Sequence, residues 1–174
     1  MDDLLSPLVN ISMNNRASVI YSTHIKHEWL DYNNHMNVAY YALIFDKAGE
    51  KLVADLGLGE TVTQKTGISW MALENHVTYD NEVVLDQPVE VRAQLLDHDN
   101  KRLHLYLEMY AKNEDGTEYL ASTFEQMVMC VDLKARKSCE FPASIAEKIL
   151  LKANAQADLN RPDNIGRTIG IRRK

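Results

Sequence analysis

The polar residues between Trp29 and Asn37 have the side-chain types that acid–base or nucleophilic chemistry requires. The run Asp31-Tyr32-Asn33-Asn34-His35 contains a carboxylate, two carboxamides and an imidazole within five residues. A carboxylate can polarise a water molecule or attack a carbonyl carbon directly, and an imidazole can orient and polarise such a site. Because buried polar groups cost free energy unless they are paired, a polar cluster between two apolar segments is expected to have a purpose.

Each of these side chains also has a structural interpretation. Asp31 and Asn37 are residue types that cap helix N-termini, and Asn33 is a common turn residue. His35 is also consistent with a hydrogen-bonded structural histidine. The residue types alone leave both interpretations open, and capping is compatible with catalysis.

The composition limits the class of protein. The chain has 174 residues, of which 45% are apolar and 25% charged, and its formal net charge is −6. This is typical of one globular domain, and it argues against nucleic acid as a partner. No apolar run approaches the ~20 residues that span a bilayer, and the acidic N-terminus does not resemble a secretory signal. We therefore expect a cytoplasmic protein that does not bind membranes.

Cys130 and Cys139 form neither a disulfide framework nor a zinc motif, and we expect no metal or cofactor.

Hydrophobic periodicity predicts one strand, a long helix, four further strands and a final helix. The predicted strands cover residues 18–29, 68–79, 89–96, 102–112 and 119–133, and the predicted helices cover 37–56 and 142–155. The long helix has so wide an apolar face that we expect it to be buried on most sides. This order predicts an α+β fold in which a curved antiparallel sheet of about five strands wraps one central helix. Covering the rest of the helix and the open sheet edge favours a homodimer or homotetramer.

The same patterns divide the chain into three parts. Residues 1–17 are polar and irregular and are expected to form an N-terminal extension. Residues 18–155 are expected to form the folded domain, and residues 156–174 a C-terminal tail with little periodicity.

Three segments resemble the hot-dog-fold acyl-CoA thioesterases, a 4-hydroxybenzoyl-CoA thioesterase-like superfamily. They are Glu28–Asn37, Leu73–Tyr79 and Asp97–His104, and the resemblance covers about residues 18–133. Within the superfamily they look closest to the thioesterases of carnitine catabolism, which act on betainyl-CoA. The resemblance implies a hot-dog fold and hydrolysis of an acyl-CoA to a free acid and CoA, with glycine betaine as the acid if the substrate is betainyl-CoA. The alternatives are a non-catalytic acyl-CoA-binding protein, or a thioesterase for another short or aromatic acyl-CoA.

The resemblance also implies unequal roles for the clustered residues. The 4-hydroxybenzoyl-CoA enzymes have an Asp-x-Asp pair before the helix, and its second, catalytic member is matched by Asp31, while Trp29 replaces the first. Plant acyl-carrier-protein thioesterases use Asp-x-Asn-x-His, which Asp31, Asn33 and His35 match. We therefore expect Asp31 to act as general base or nucleophile, supported by Asn33 and His35. Many relatives have glycine where this chain has Asn34.

Glu74 is the second candidate for the catalytic carboxylate. It lies on the strand that carries a further acidic residue in the plant enzymes, although the Glu-Cys pair of those enzymes is missing. Strand alternation predicts that Glu74 shares one face with Ala72 and His76, near the buried helix. It is also consistent with a surface residue paired with Lys or Arg. A backbone N–H near Met36 or Asn37 is the predicted oxyanion donor.

The substrate-binding candidates follow from the chemistry of betainyl-CoA. Aromatic faces bind quaternary ammonium groups, and the candidates are Trp29, Tyr32, Tyr40, Tyr41 and Trp70. Lys101 and Arg102 follow a predicted turn, where they are candidates for binding the phosphates of CoA. Each is also consistent with an ordinary core aromatic or a solvated turn residue.

Overall fold

The computed structural model of the protein describes residues 16–171. Its strands are β1 (Val19–His24), β2 (Ile68–Tyr79), β3 (Pro88–His98), β4 (Arg102–Lys112), β5 (Glu118–Asp132) and β6 (Lys137–Ser138). Its helices are α1 (Val38–Leu56), α2 (Glu60–Thr66) and α3 (Ala143–Ala155). The extension predicted for residues 1–17 lies outside the described residues except for its last two. Among residues 16–171, no helix has both the length and the apolar character needed to cross a membrane.

The strands form one curled antiparallel sheet in the order β1-β3-β4-β5-β2, and β6 pairs with β5. The predicted α+β layout, with α1 against the sheet and a C-terminal helix, is confirmed. The first strand is shorter than predicted: it ends at His24, and a 3-10 turn at His27–Trp29 then buries the indole of Trp29. Helix α2 and strand β6 were not predicted, because α2 has no buried residue and β6 has only two residues.

Helix α1 is fixed at both ends. The side chain of Asn37 accepts a hydrogen bond from the Ala39 N–H at 3.0 Å, which confirms the expected N-terminal cap. Gly57 ends the helix with φ +99°, a left-handed conformation that glycine adopts without a steric penalty. The buried face is narrower than predicted, because Val38 is 59% and Leu43 is 37% exposed in the single chain.

The core lies between α1 and the concave face of the sheet. Phe45 of α1 stacks on Phe124 of β5 with 4.9 Å between ring centroids. Strand β4 shows the predicted alternation. Its core-facing side chains are Leu103, Leu105, Leu107 and Met109, and its outward-facing side chains are His104, Tyr106, Glu108 and Tyr110. The outward face of β4 is therefore polar.

The segment after α3 lies on that outward face. Asn164 accepts a hydrogen bond from the Tyr106 hydroxyl, and its amide donates to Thr123 Oγ1 at 3.3 Å. The Gly166 N–H donates to Glu125 Oε2 at 2.8 Å. The C-terminal tail is thus attached to β4 and β5 by side-chain hydrogen bonds rather than by secondary structure.

The Phe45–Phe124 contact predicts a large effect on stability. Because Phe45 is 1% exposed, Phe45→Ala should lower the free energy of unfolding by about 3–5 kcal/mol, measured by urea denaturation. Leu151→Ala is the control, since Leu151 is 62% exposed and its truncation should change stability by no more than about 0.5 kcal/mol. Equal losses in the two variants would contradict this account of the core.

Candidate active site

Asp31 lies in a loop that closes on itself before α1. Its N–H donates to the His35 carbonyl at 2.9 Å, and its own carbonyl accepts from the Asn34 N–H at 3.0 Å. One carboxylate oxygen, Oδ1, accepts from the Asn33 N–H at 2.8 Å. The loop therefore holds the half-buried Asp31 carboxylate through one oxygen and leaves Oδ2 for another partner.

Asn34 forms the tip of this loop with φ +62°. This is the left-handed region, which asparagine adopts more readily than other non-glycine residues. Asn34, which stands where many relatives have glycine, can therefore adopt this turn geometry.

The connection between β2 and β3 packs against the same loop. The Met36 N–H donates to the Val83 carbonyl at 2.8 Å, and His35 forms an antiparallel bridge with Val84. This pairing brings Glu82 beside His35, with 3.2 Å between His35 Nε2 and Glu82 Oε2. The contact is a hydrogen bond for a neutral imidazole and an ion pair for a protonated one. Glu82 was not predicted, since nothing in its sequence position indicates this long-range pairing.

A cleft of about 250 Å³ opens between the loop and the end of β2, and we call it the Asp31 cleft. Its lining residues are Asp31, Asn33, His35, Met36, Val38, Tyr41, Tyr79, Asp80, Asn81 and Glu82. The cleft brings together four of the candidate residues, Asp31, Asn33, His35 and Tyr41. Tyr79, Asp80 and Glu82 are additions that sequence reasoning missed.

The cleft is acidic and partly aromatic. Three of the lining residues, Asp31, Asp80 and Glu82, are acidic, and none is Lys or Arg. The Asp80 carboxylate accepts a hydrogen bond from Thr78 Oγ1, whose strand partner Thr123 lies on the outward face of the sheet. Tyr41 packs edge-on against Tyr79 with 5.2 Å between ring centroids. Burial raises the pKa of Tyr41 to about 12, so its ring stays a neutral phenol near neutral pH.

Glu74 lies elsewhere in the chain. A bulge in β2 between Ala72 and Glu74 places Ala72 opposite core-facing Val128 and Glu74 opposite outward-facing Met127. The shared face predicted for Ala72 and Glu74 is therefore wrong. Exposed Glu74 lines a separate pocket of about 560 Å³ on the outward face, together with His76, His104 and Glu125.

Among the aromatic candidates for a cation site, only Tyr41 lines the Asp31 cleft. Trp29 is buried and stacks on Tyr40 at 5.6 Å, while Tyr32 is 95% exposed. Trp70 lies against α1, 3.6 Å from the position that a Cβ on Gly49 would occupy.

The predicted oxyanion donors already donate hydrogen bonds within the chain, and the predicted contacts for the CoA phosphates lie at the β3–β4 turn. The N–H groups of Met36 and Asn37, the predicted oxyanion donors, donate instead to the carbonyls of Val83 and Trp29. The Arg102 guanidinium pairs with Asp99 at 2.6 Å and lowers the pKa of that carboxyl to about 2.

Lys101 lies beside Arg102 in this turn, and its N–H donates to Asp99 Oδ1. Among residues 16–171, no set of three or more His, Cys, Asp or Glu side chains is arranged to hold a metal ion.

Comparison with protein families and curated proteins gives consistent results. The model of the thioesterase-like superfamily matches residues 25–149. The betainyl-CoA thioesterase of Pseudomonas aeruginosa is 36% identical over 87% of this chain and 93% of its own length. The L-carnitine dehydrogenase/betainyl-CoA thioesterase of Rhizobium meliloti is 30% identical over 88% of this chain, which spans 30% of that longer protein.

Solved structures agree with the fold. A hypothetical protein from Staphylococcus aureus, solved in complex with CoA, superposes with a TM-score of 0.82 at 32% identity and covers 90% of this chain and 98% of its own. The DHNA-CoA thioesterase from the same organism superposes with a TM-score of 0.67 at 18% identity, covering 79% of this chain and 91% of its own. The predicted hot-dog fold is confirmed.

The left-handed conformation of Asn34 predicts which substitutions the loop tolerates. Asn34→Val should lower the free energy of unfolding by about 1–3 kcal/mol, because a β-branched side chain is strained at positive φ. Asn34→Gly is the matched control and should fold at least as stably as the wild type. Urea denaturation of the two variants measures the difference, and equal stabilities would contradict this loop geometry.

Proposed function

Because the chain belongs to the thioesterase-like superfamily and is an acyl-CoA thioesterase, we propose that it hydrolyses betainyl-CoA at the Asp31 cleft. The products are glycine betaine and CoA. The observation that carries this proposal is the lining of the cleft, which combines acidic residues and two tyrosines with no Lys or Arg. Such a lining suits an acyl group with a permanent positive charge.

Asp31 is the proposed general base or nucleophile. As a base, its free Oδ2 removes a proton from water while the water oxygen attacks the thioester carbon. The carbon–sulfur bond then breaks, and the departing CoA thiolate takes up the proton. As a nucleophile, the Asp31 carboxylate attacks the thioester carbon, and the carbon–sulfur bond breaks to release CoA thiolate and leave a mixed anhydride. Water then hydrolyses the anhydride to the free acid and the Asp31 carboxylate, and the released proton protonates the thiolate. Asn33 and His35 are proposed to orient the water and the thioester, and Glu82 to fix the His35 ring.

The first N–H of α1 is the proposed oxyanion donor. Val38 lines the cleft, and its N–H has no acceptor among the described residues, whereas the N–H groups of Met36 and Asn37 do. Helix N-termini stabilise negative charge, and one well-placed donor stabilises such a transition state by about 3 kcal/mol.

The trimethylammonium group is proposed to lie between the tyrosines and the Glu82 carboxylate. A quaternary ammonium has no N–H to donate, so its recognition depends on aromatic faces and on opposite charge. Tyr41 and Tyr79 supply the rings, and Glu82 supplies the charge. An uncharged acyl group of the same shape would gain neither attraction.

A second copy of the chain is the proposed protein partner, in a homodimer or homotetramer. Strand β2 is one edge of the sheet, and its side chains Met71 and Leu73 are each 51% exposed. Pairing of two β2 edges would cover this apolar surface and complete the backbone hydrogen bonds.

Lys101 and Arg102 stay the proposed contacts for the CoA phosphates, with Arg102 exchanging Asp99 for phosphate. The cytoplasm stays the proposed location of the protein.

The Asp31 assignment is tested by charge removal. Asp31→Asn should lower kcat for betainyl-CoA by about 100-fold or more, measured as free thiol release, because the base or nucleophile is lost. Its melting temperature should stay close to that of the wild type. Glu74→Gln is the matched control and should keep most of the activity. A near-wild-type rate in Asp31→Asn beside an inactive Glu74→Gln would move the role to Glu74.

The substrate assignment is tested with a neutral isostere. In 3,3-dimethylbutyryl-CoA a carbon atom replaces the quaternary nitrogen of betainyl-CoA, so the two acyl groups differ mainly in charge. The wild type should prefer betainyl-CoA in kcat/KM by at least about tenfold, from cation–π and charge attraction.

Glu82→Gln should lose most of this preference. Glu114→Gln, at an exposed hairpin carboxylate, is the control and should keep it. Equal kcat/KM values for the two substrates with the wild type would favour a thioesterase for another short or aromatic acyl-CoA.

A further inference from the structure

We propose that Tyr119 is a positioning residue that holds Glu82 beside His35, where Glu82 meets the cation of the substrate, and that Gln87 assists it. The inference rests on the proposed function, because that function assigns the charge recognised by the trimethylammonium group to Glu82. Tyr119 is not among the residues that line the Asp31 cleft, so it acts through Glu82 rather than on the substrate.

The Glu82 side chain needs such support because it has little packing of its own. It is 74% exposed, and its carboxylate contacts one polar side chain within residues 16–171, that of His35 at 3.2 Å. Exposed pairs of this kind hold their members weakly. The position of the carboxylate therefore depends on where the backbone places residue 82.

The Tyr119 hydroxyl reaches the backbone of Glu82 from the first turnward residues of β5. Its oxygen lies 3.0 Å from the Glu82 carbonyl oxygen and 3.0 Å from Gln87 Oε1. Both of these atoms are acceptors, so they share the single hydroxyl proton. Tyr119 lies directly opposite buried Ala111 of β4, on the core side of the sheet. The hydroxyl thus ties the β2–β3 connection to the sheet.

Gln87 extends this support to a neighbouring peptide. Its Oε1 accepts from the Val84 N–H at 2.8 Å, and its Nε2 donates to the Lys112 carbonyl at 3.4 Å. Because an amide nitrogen cannot accept from the Val84 N–H, the oxygen of Gln87 must face both Val84 and the Tyr119 hydroxyl. One oxygen atom therefore joins the two donors.

The supported peptides flank Val83, which is buried and pairs with the loop that carries Asp31. The Val83 carbonyl accepts from the Met36 N–H at 2.8 Å, and the next residue, Val84, forms the antiparallel bridge with His35. The connection is held by the sheet on one side and by the loop on the other. The residue before Val83 is thereby kept beside His35.

The same hydroxyl lies close to the proposed cation site. The Tyr41 hydroxyl donates to the Asn81 carbonyl at 3.4 Å, one residue before Glu82. Burial, then the nearby Tyr119, and also the charge of Glu82 raise the pKa of Tyr41 to about 12. Glu82 is therefore close enough to the Tyr41 phenol to act on it electrostatically, as a cation site shared by the two residues requires.

The test compares charge preference, the ratio of kcat/KM for betainyl-CoA to kcat/KM for 3,3-dimethylbutyryl-CoA, in full-length variants. Tyr119→Phe keeps the ring but removes the hydroxyl, and the ratio should fall about fivefold, the equivalent of one hydrogen bond. Tyr21→Phe removes the same atom from β1, where the hydroxyl makes no hydrogen bond within residues 16–171. This matched control should leave the ratio unchanged.

A double variant shows whether Tyr119 acts through Glu82. Tyr119→Phe combined with Glu82→Gln should have the same ratio as Glu82→Gln alone, because the group that the hydroxyl positions has already lost its charge. Gln87→Leu removes the support from its other end and should lower the ratio in the same direction. It carries the test alone if Tyr119→Phe fails to fold.

The outcomes separate this inference from the proposed function. A wild-type ratio near one, or a high ratio that Glu82→Gln retains, contradicts the proposed function. A high wild-type ratio that Tyr119→Phe also retains, or a further fall in the double variant, contradicts the positioning role alone. A fall in Tyr119→Phe that is absent from Tyr21→Phe supports the role, since a merely structural defect would lower both kcat/KM values equally.

Discussion

The polar loop from Trp29 to Asn37 leads directly into helix α1, which packs in the apolar core, and the rest of the site depends on this constraint. The Asn37 side chain satisfies the Ala39 N–H in the first turn of α1 and leaves the Val38 N–H for the proposed oxyanion. The loop in turn satisfies its own polar groups internally, through the bonds between Asp31, Asn34 and His35. A carboxylate is thereby held at the entrance of the core without being fully buried.

The other side of the cleft is formed by the end of β2 and the residues that follow it. The negative charge of the lining destabilises the folded state. Glu82 lines the cleft together with Asp31, and none of the lining residues is lysine or arginine, so negative charge accumulates there. Clustering of like charge destabilises the folded state and is retained at functional sites when a ligand relieves it. A cationic acyl group would provide that relief, whereas a neutral acyl group would leave the repulsion in place.

The sequence predicted the elements with strong periodicity and the local part of the site. The alternation in β4 and the apolar face of α1 are properties of neighbouring residues, and so is the cluster of Asp31, Asn33 and His35. Tyr79, Asp80 and Glu82 were missed because the pairing of His35 with Val84 is long-range. The sheet face predicted for Glu74 was wrong for a different reason. One extra residue in β2, at the bulge after Ala72, reverses the alternation, and no residue type in that stretch indicates it.

The acidic lining also bears on how the enzyme distinguishes its substrate from other acyl-CoAs. Every acyl-CoA carries the same anionic nucleotide, so contacts to that part of the molecule cannot discriminate between acyl groups. An acidic cleft without lysine or arginine in its lining disfavours an anionic acyl group by repulsion, and it offers a neutral one no charge attraction. A trimethylammonium group is attracted by both the carboxylates and the tyrosine rings. Discrimination then comes as much from the rejection of other acyl groups as from attraction of the right one. It depends on the position of Glu82, which the contact with His35 holds beside the loop of Asp31, because charge attraction weakens as the distance grows.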